Sequence, residues 1–183
     1  MVDKEFFRII KDIVNHPKFT VTKNTSHHGG ENTLFSHSVK TAFMTYNTAK
    51  RLGWAKDDIV SATRAAMLHD FIEFEWDTPE SKEYKSQFKG LKRIAHMHCF
   101  IHGFQAVEYA SKFFELDEKQ KDAMGKHMFP LVPGFPKYKE TWLLTYTDKM
   151  VAIRELAATV VYMLRRSKDN GEALSETLSA ETV

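Results

Sequence analysis

The sequence predicts an all-α fold in a single domain, and three observations carry that reading. Apolar residues recur three and four positions apart along several stretches. Capping residues stand before those stretches, and glycine or proline stands after them. No stretch of convincing length alternates apolar with polar residues as a half-buried strand does. The length of 183 residues fits one domain of ordinary size. A hydrophobic content of 43% with 27% charged residues is enough for a full core without covalent staples.

Taken in order, Asp3 can cap a first helix that carries Phe6, Phe7, Ile9, Ile10 and Ile13 and ends at His16-Pro17. Residues 18–32, with Gly29-Gly30 and many small polar side chains, read as loop. Thr33 precedes a long helix that runs to about Leu52 and is closed by Gly53, with Phe35, Val39, Ala42, Tyr46 and Ala49 as its main apolar row. Asp57 or Asp58 starts the next helix, whose row is Ile59, Ala62, Ala66 and His69. Residues 74–95, which include Pro79 and Gly90, read as a long surface loop of the kind that often serves as a lid. Helical spacing resumes near His102 with Ala106, Ala110 and Phe113. Asp117 caps a short helix ending near His127. The segment PLVPGFPKY breaks the chain, and a final helix runs from about Glu140 to Arg166. The domain is thus residues 1–166. Residues 167–183, polar and without an aromatic side chain, are expected to form a disordered tail.

The single cysteine, Cys99, excludes an internal disulfide and fits a reducing compartment. The opening MVDKEFFRII mixes charges with its apolar residues and is not a signal peptide, and no stretch has the roughly 18 apolar residues of a membrane span. A cytoplasmic location is the expectation. A net charge of +2 gives no ground for binding a nucleic-acid duplex, and the cluster Lys85-Lys89-Lys92-Arg93 reads as a solvated loop.

Nine histidines and a few oddly placed aspartates are the chemically informative residues. Imidazole is the commonest side-chain metal ligand, and carboxylates complete borderline sites. His69 continues a core-facing row, and Asp70 follows it at a mostly apolar position, where a carboxylate is costly unless paired or metal-bound. Asp148 lies inside WLLTYTDKMVAI with Leu144, Val151 and Ala152 on its face, so the same cost applies. His37 lies off the main row of its helix, in line with Leu34, Thr41 and Met44. It is buried if that helix is packed on both sides and exposed if the helix is peripheral. His102 and His127 each end a row that should be buried. Either one alone fits a core histidine bonded to a carbonyl as well as a ligand.

Read in order, these residues spell H…HD…H…H…D. The contexts Phe35-Ser36-His37-Ser38-Val39, Ala65-Ala66-Met67-Leu68-His69-Asp70, His102-Gly103-Phe104-Gln105-Ala106, Lys126-His127-Met128-Phe129-Pro130-Leu131 and Thr147-Asp148-Lys149-Met150 follow one another in that order. The ensemble resembles the HD-domain superfamily of metal-dependent phosphohydrolases, in particular its small stand-alone bacterial members, over roughly residues 33 to 155. The resemblance implies a helical bundle in which His37, His69, Asp70 and Asp148 hold a metal. In members with two metals, His102 and His127 join them and Asp70 bridges. His98 competes with His102 for the third-histidine place. The residues after His69-Asp70 are Phe71-Ile72-Glu73, without the Gly-Lys often found there, and Glu73 falls where some nucleotide-cleaving relatives place a catalytic acid.

The implied activity is hydrolysis of a nucleotide or other small phosphate ester by a metal-activated water, with Asp70 and Glu73 as catalytic residues. One or two divalent transition-metal ions (Fe, Mn, Co, Ni or Zn) suit the mixed His/Asp donor set better than Ca. His28, Lys40, Arg93, Lys149 and Arg154 are candidates for holding the phosphate. Two other readings share the ligand set: a di-iron oxygenase, and a non-catalytic nucleotide or metal sensor. A homo-oligomer is left open by the sequence.

Overall fold

The computed structural model describes residues 3–25, 33–72 and 98–180. Every regular element among them is helical: α1 (Lys4–Val14), α2 (Pro17–Thr20), a 3-10 turn (Val21–Asn24), α3 (Leu34–Arg51), α4 (Lys56–Leu68), α5 (His98–Ala110), α6 (Glu118–Lys126) and α7 (Lys139–Ala180). The all-α class is as the periodicity predicts. No helix among the described residues is long and apolar enough to cross a membrane.

Local chemistry sets the helix ends. The Asp3 carboxylate accepts from the Glu5 and Phe6 amides at 2.9 and 3.1 Å, which satisfies donors that the first turn of α1 leaves free. Thr33 and Ser36 form a reciprocal capping box at the start of α3. Asp117 and Gln120 do the same for α6. At the end of α3, Gly53 takes φ +67°, a left-handed conformation that glycine adopts without strain, and the Trp54 amide closes back on the Ala49 carbonyl at 3.1 Å. The chain therefore reverses within a few residues, and α3 and α4 pack as a helical hairpin. The expected cap of α4 at Asp57 or Asp58 is corrected: Ala55 is the N-cap, and both acids sit in the first turn, where the helix dipole favours negative charge.

α4 is the axis of the fold and touches α1, α3, α5, α6 and α7. From Ser61 to His69 every residue but Arg64 is buried. Ala62, Ala65 and Ala66 keep that helix thin enough for neighbours to close in on several sides. The Arg64 guanidinium reaches outward to both Asp12 oxygens at 2.7 and 2.8 Å and to the Ile9 carbonyl at 3.0 Å, which ties α1 to α4. α5 approaches α6 backbone to backbone at Gly103, where a Cβ would stand 2.5 Å from the Met124 carbonyl oxygen.

Three expectations change. Residues 17–24 lie in helical turns rather than loop: Pro17 suits a first helical position, and Phe19 is buried against Phe35 and Phe71. The buried face of α3 is wider than its apolar row, for Ser38, Thr41 and Thr45 are buried while Phe35 and Val39 are only partly so. This central position of α3 puts His37 inside. Finally, the last helix does not stop at Arg166 but continues to Ala180, and residues 181–183 of the expected tail lie outside the described residues. No proline follows Pro136, and Gly171, within a helix, lowers stability by only about 1 kcal/mol without breaking it.

Asp58 joins three helices, bonding to Lys119 of α6 and, at 2.6 Å, to Lys139 at the start of α7. The two ammonium groups hold its carboxyl down to about 2, from an ordinary value of 3.8. The stabilisation is therefore complete above the unfolded value near 3.8 and is lost as pH falls through about 2. Asp58→Asn should lower the Tm by about 2–4 °C at pH 7. Thermal melts taken down the acid range should show the gap to wild type closing toward pH 2.

Candidate metal centre

Four imidazoles are brought to one place by the ends and inner faces of four helices. His69 follows the last turn of α4, and its Nδ1 lies 2.8 Å from the Ala66 carbonyl. His127 stands in the same relation to α6, with Nδ1 2.8 Å from the Met124 carbonyl. A carbonyl can only accept, so each Nδ1 carries a proton and each Nε2 is the ring nitrogen turned inward. His37, on α3, has Nδ1 2.9 Å from the Glu155 carboxylate of α7, which likewise accepts a proton from the outer side of the ring. His102, one turn into α5, points its Nε2 at the Nε2 of His127, 2.8 Å away.

The carboxylates lie among these nitrogens. Asp148 Oδ1 is 3.1 Å from His37 Nε2 and 3.4 Å from His69 Nε2. Asp70 uses both oxygens, Oδ2 at 3.2 Å from His69 and Oδ1 at 3.4 and 3.7 Å from His102 and His127. Ligand atoms of His37, His69 and Asp70 all fall within 4.8 Å of one another, and so do those of Asp70, His102 and His127, and those of His69, His127 and Asp148. Asp70 is common to the first two triads, and the third ties them together through His69 and His127. All six residues of the H…HD…H…H…D series meet, and the open question over His37 is answered by its full burial.

Burial acts against every charge here, yet the groups favour separated charge. The imidazoles hold Asp70 and Asp148 well below the usual carboxylate range. The carboxylates in turn raise His37 and His69 despite burial. His127 is pushed down to about 3 by burial and by the neighbouring imidazoles, so it stays neutral, as a ligand must.

The donor set fits a divalent ion. His69 Nε2 is buried and makes no directed hydrogen bond. The His102 and His127 nitrogens are so close that a proton or a cation must stand between them. Imidazole nitrogens mixed with carboxylate oxygens match Fe, Mn, Co, Ni or Zn. His37, His69, Asp70 and Asp148 would hold one ion, and Asp70, His102 and His127 a second.

Glu155 escaped the sequence reading, although it lies two turns after Asp148 on the same apolar face of α7, and the reasoning that singled out Asp148 applies to it equally. It is buried, and burial opposes its charge. The hydrogen bonds from His37 and from Lys40, at 2.7 Å, outweigh that and hold it at about 2. Lys40 is therefore engaged with Glu155 on the outer side of His37. Arg154 is exposed and lines an open groove between α3 and α7 with Lys40, Phe43 and Arg51. Lys149 lies closest to the cluster, its ammonium donating to the His127 and Phe129 carbonyls at 3.3 and 3.4 Å. Glu73, His28 and Arg93, and the 74–95 segment, lie outside the described residues.

Replacing Glu155 with Gln should weaken divalent-metal binding about 10–100-fold, because the outer acceptor that orients His37 and raises its basicity is lost. Metal titration followed by calorimetry checks this, with a circular-dichroism spectrum that should not change. Gly103→Ala should destabilise the protein by about 1–3 kcal/mol in denaturant melts, since the new methyl meets main-chain oxygen rather than a flexible side chain.

A family model described as HD domain matches residues 34–169. No curated protein and no solved structure matches the chain. The matched segment begins at α3, which carries His37, and contains every residue of the two triads and Asp148. The chain belongs to the HD-domain family.

Proposed function

We propose that the chain is a metal-dependent phosphohydrolase acting on a nucleotide or another small phosphate ester. The observation that carries this reading is the common orientation of the imidazoles. His37, His69 and His127 each turn Nδ1 to an outer acceptor, so that their Nε2 atoms all face the Asp70 and Asp148 oxygens, where a proton or a cation is favoured. A purely structural cluster has no need of this common orientation. When bound, a divalent ion offsets the charge of a phosphate and brings the pKa of a coordinated water toward neutrality.

The side chains have separable duties. Asp70 links the two triads and keeps their spacing. Asp148 sets the negative charge against His37 and His69. Two carboxylates facing two divalent ions leave the centre positive, which draws a phosphate ester toward it. Lys149 adds a positive group at the rim, fixed by two carbonyls rather than by a carboxylate. Glu73 remains the proposed proton-transfer acid, and His28 and Arg93 remain proposed phosphate contacts. The HD-domain membership supports the reaction class, and the substrate is left to experiment.

Purified protein should contain about one or two equivalents of transition metal by elemental analysis. It should hydrolyse members of a phosphate-ester panel with Mn, Fe, Co, Ni or Zn. Chelation should stop turnover, and added metal should restore it. Asp70→Ala should lose both metal and activity. Full occupancy with unchanged turnover in that variant defeats the assignment. An iron-loaded protein that consumes oxygen and leaves every ester intact would instead support oxygenation.

A further inference from the structure

α7 has two apolar faces, and the fold uses only one of them. Leu144, Thr147, Val151 and Glu155 face inward and are buried. On the far side of the same helix stand Trp142, Tyr146, Ile153, Leu156, Val160 and Met163, each between 46% and 61% exposed. At 100° per residue these two sets lie about half a turn apart. The outer residues follow one another at intervals of four, seven, three, four and three. That is the a/d spacing of a two-helix seam, with Lys149 at the one remaining seam position. The Lys149 ammonium is turned back onto the His127 and Phe129 carbonyls, which leaves its aliphatic stem on the seam.

We propose that this outer face of α7 is the interface of a homodimer. Two further observations favour a second copy of the chain as the occupant. The first is area. Six large apolar side chains, each about half exposed, offer roughly 600–700 Å² per copy, close to the ~800 Å² per partner of a standard stable interface. Phe135, the most exposed aromatic among the described residues, extends the same apolar surface past Trp142 through Phe129, whose ring touches both Phe135 and Trp142. The second is charge. Between Trp142 and Met163 the flanking positions, Ala152, Ala157 and Thr159 among them, carry no charge, and the one charged seam residue, Lys149, turns its ammonium back onto its own chain, so the stripe is suited to an uncharged, apolar counterpart such as itself. α7 also runs on to Ala180, about 25 residues past Glu155, and Val161 and Tyr162 of its inner side are exposed as well. An isolated helix of this kind is marginal in water. Docking of two copies, each presenting the same stripe, closes the assembly on a twofold axis.

Sedimentation velocity of the full chain between about 1 and 100 μM should show a dimer that dissociates on dilution. Leu156→Ala and Met163→Ala should each raise the dimer dissociation constant about tenfold. Leu156→Glu with Val160→Glu should give a monomer that keeps its metal content and helical circular dichroism. The alanine variants keep the test decisive if the glutamate pair fails to fold. A wild-type monomer at 100 μM overturns the proposal, and so does a dimer whose dissociation constant none of these substitutions moves; the stripe would then be covered by another segment or a different partner.

Discussion

Four imidazoles and two carboxylates packed into the centre of a helical domain are an expensive arrangement, and the rest of the fold is built around making it tolerable. Each buried charge loses its hydration, and attraction to a neighbour repays this only when both are well placed and their remaining polar atoms are satisfied. That condition is met on the outside of the cluster. The Ala66 and Met124 carbonyls and the Glu155 carboxylate occupy the Nδ1 atoms of His69, His127 and His37. What is left pointing inward is a shell of imidazole Nε2 atoms and negative oxygens, and only protons or a cation complete it.

The positions of the helices follow from that requirement. His69 and His127 are C-terminal caps, so the carbonyls that pin them are the ones a helix end leaves without an internal partner. The tight reversal at Gly53 returns α4 along α3, which brings the last residues of α4 beside the first turns of α3 and so His69 beside His37, ring centroids 5.4 Å apart. Gly103 lets α5 sit against the main chain of α6, and that contact sets His102 on His127. The alanines of α4 keep the axis narrow. Small residues at these places are conditions for the site as much as packing choices.

Asp148 and the His69-Asp70 pair were legible because charge on an apolar helical face is anomalous by itself. His37 was not, since the face that buries it is made of Ser38, Thr41 and Thr45, and counting apolar residues misses a helix buried through hydroxyls. The Thr45 hydroxyl bonds within the helix to the Thr41 carbonyl and across to Thr147 of α7 at 2.7 Å, so its burial carries no penalty that a sequence pattern would reveal. Glu155 was missed for a different reason: its neighbours invite the question, but its partners His37 and Lys40 are more than a hundred residues away in sequence. The length of α7 was misjudged because a polar composition lowers the drive to fold without supplying a stop signal.

The pairing of Lys40 with Glu155 also bears on where the positive charge for a phosphate comes from. A lysine one turn from His37 looks, in sequence, like a hand for substrate. In the fold its charge cancels that of Glu155, and Glu155 in turn polarises His37, so the series Lys40, Glu155, His37, Asp148 alternates in sign from the surface to the core. A neutral outer pair adds nothing to the net charge that a ligand meets. The field at the centre is then governed chiefly by Asp70 and Asp148 and the imidazoles that face them. One divalent ion held there would offset the two carboxylates, and a second would leave the centre positive. On the reading proposed above, the sharing of Asp70 between two ligand groups would make metal loading and capture of an anionic ligand one linked equilibrium.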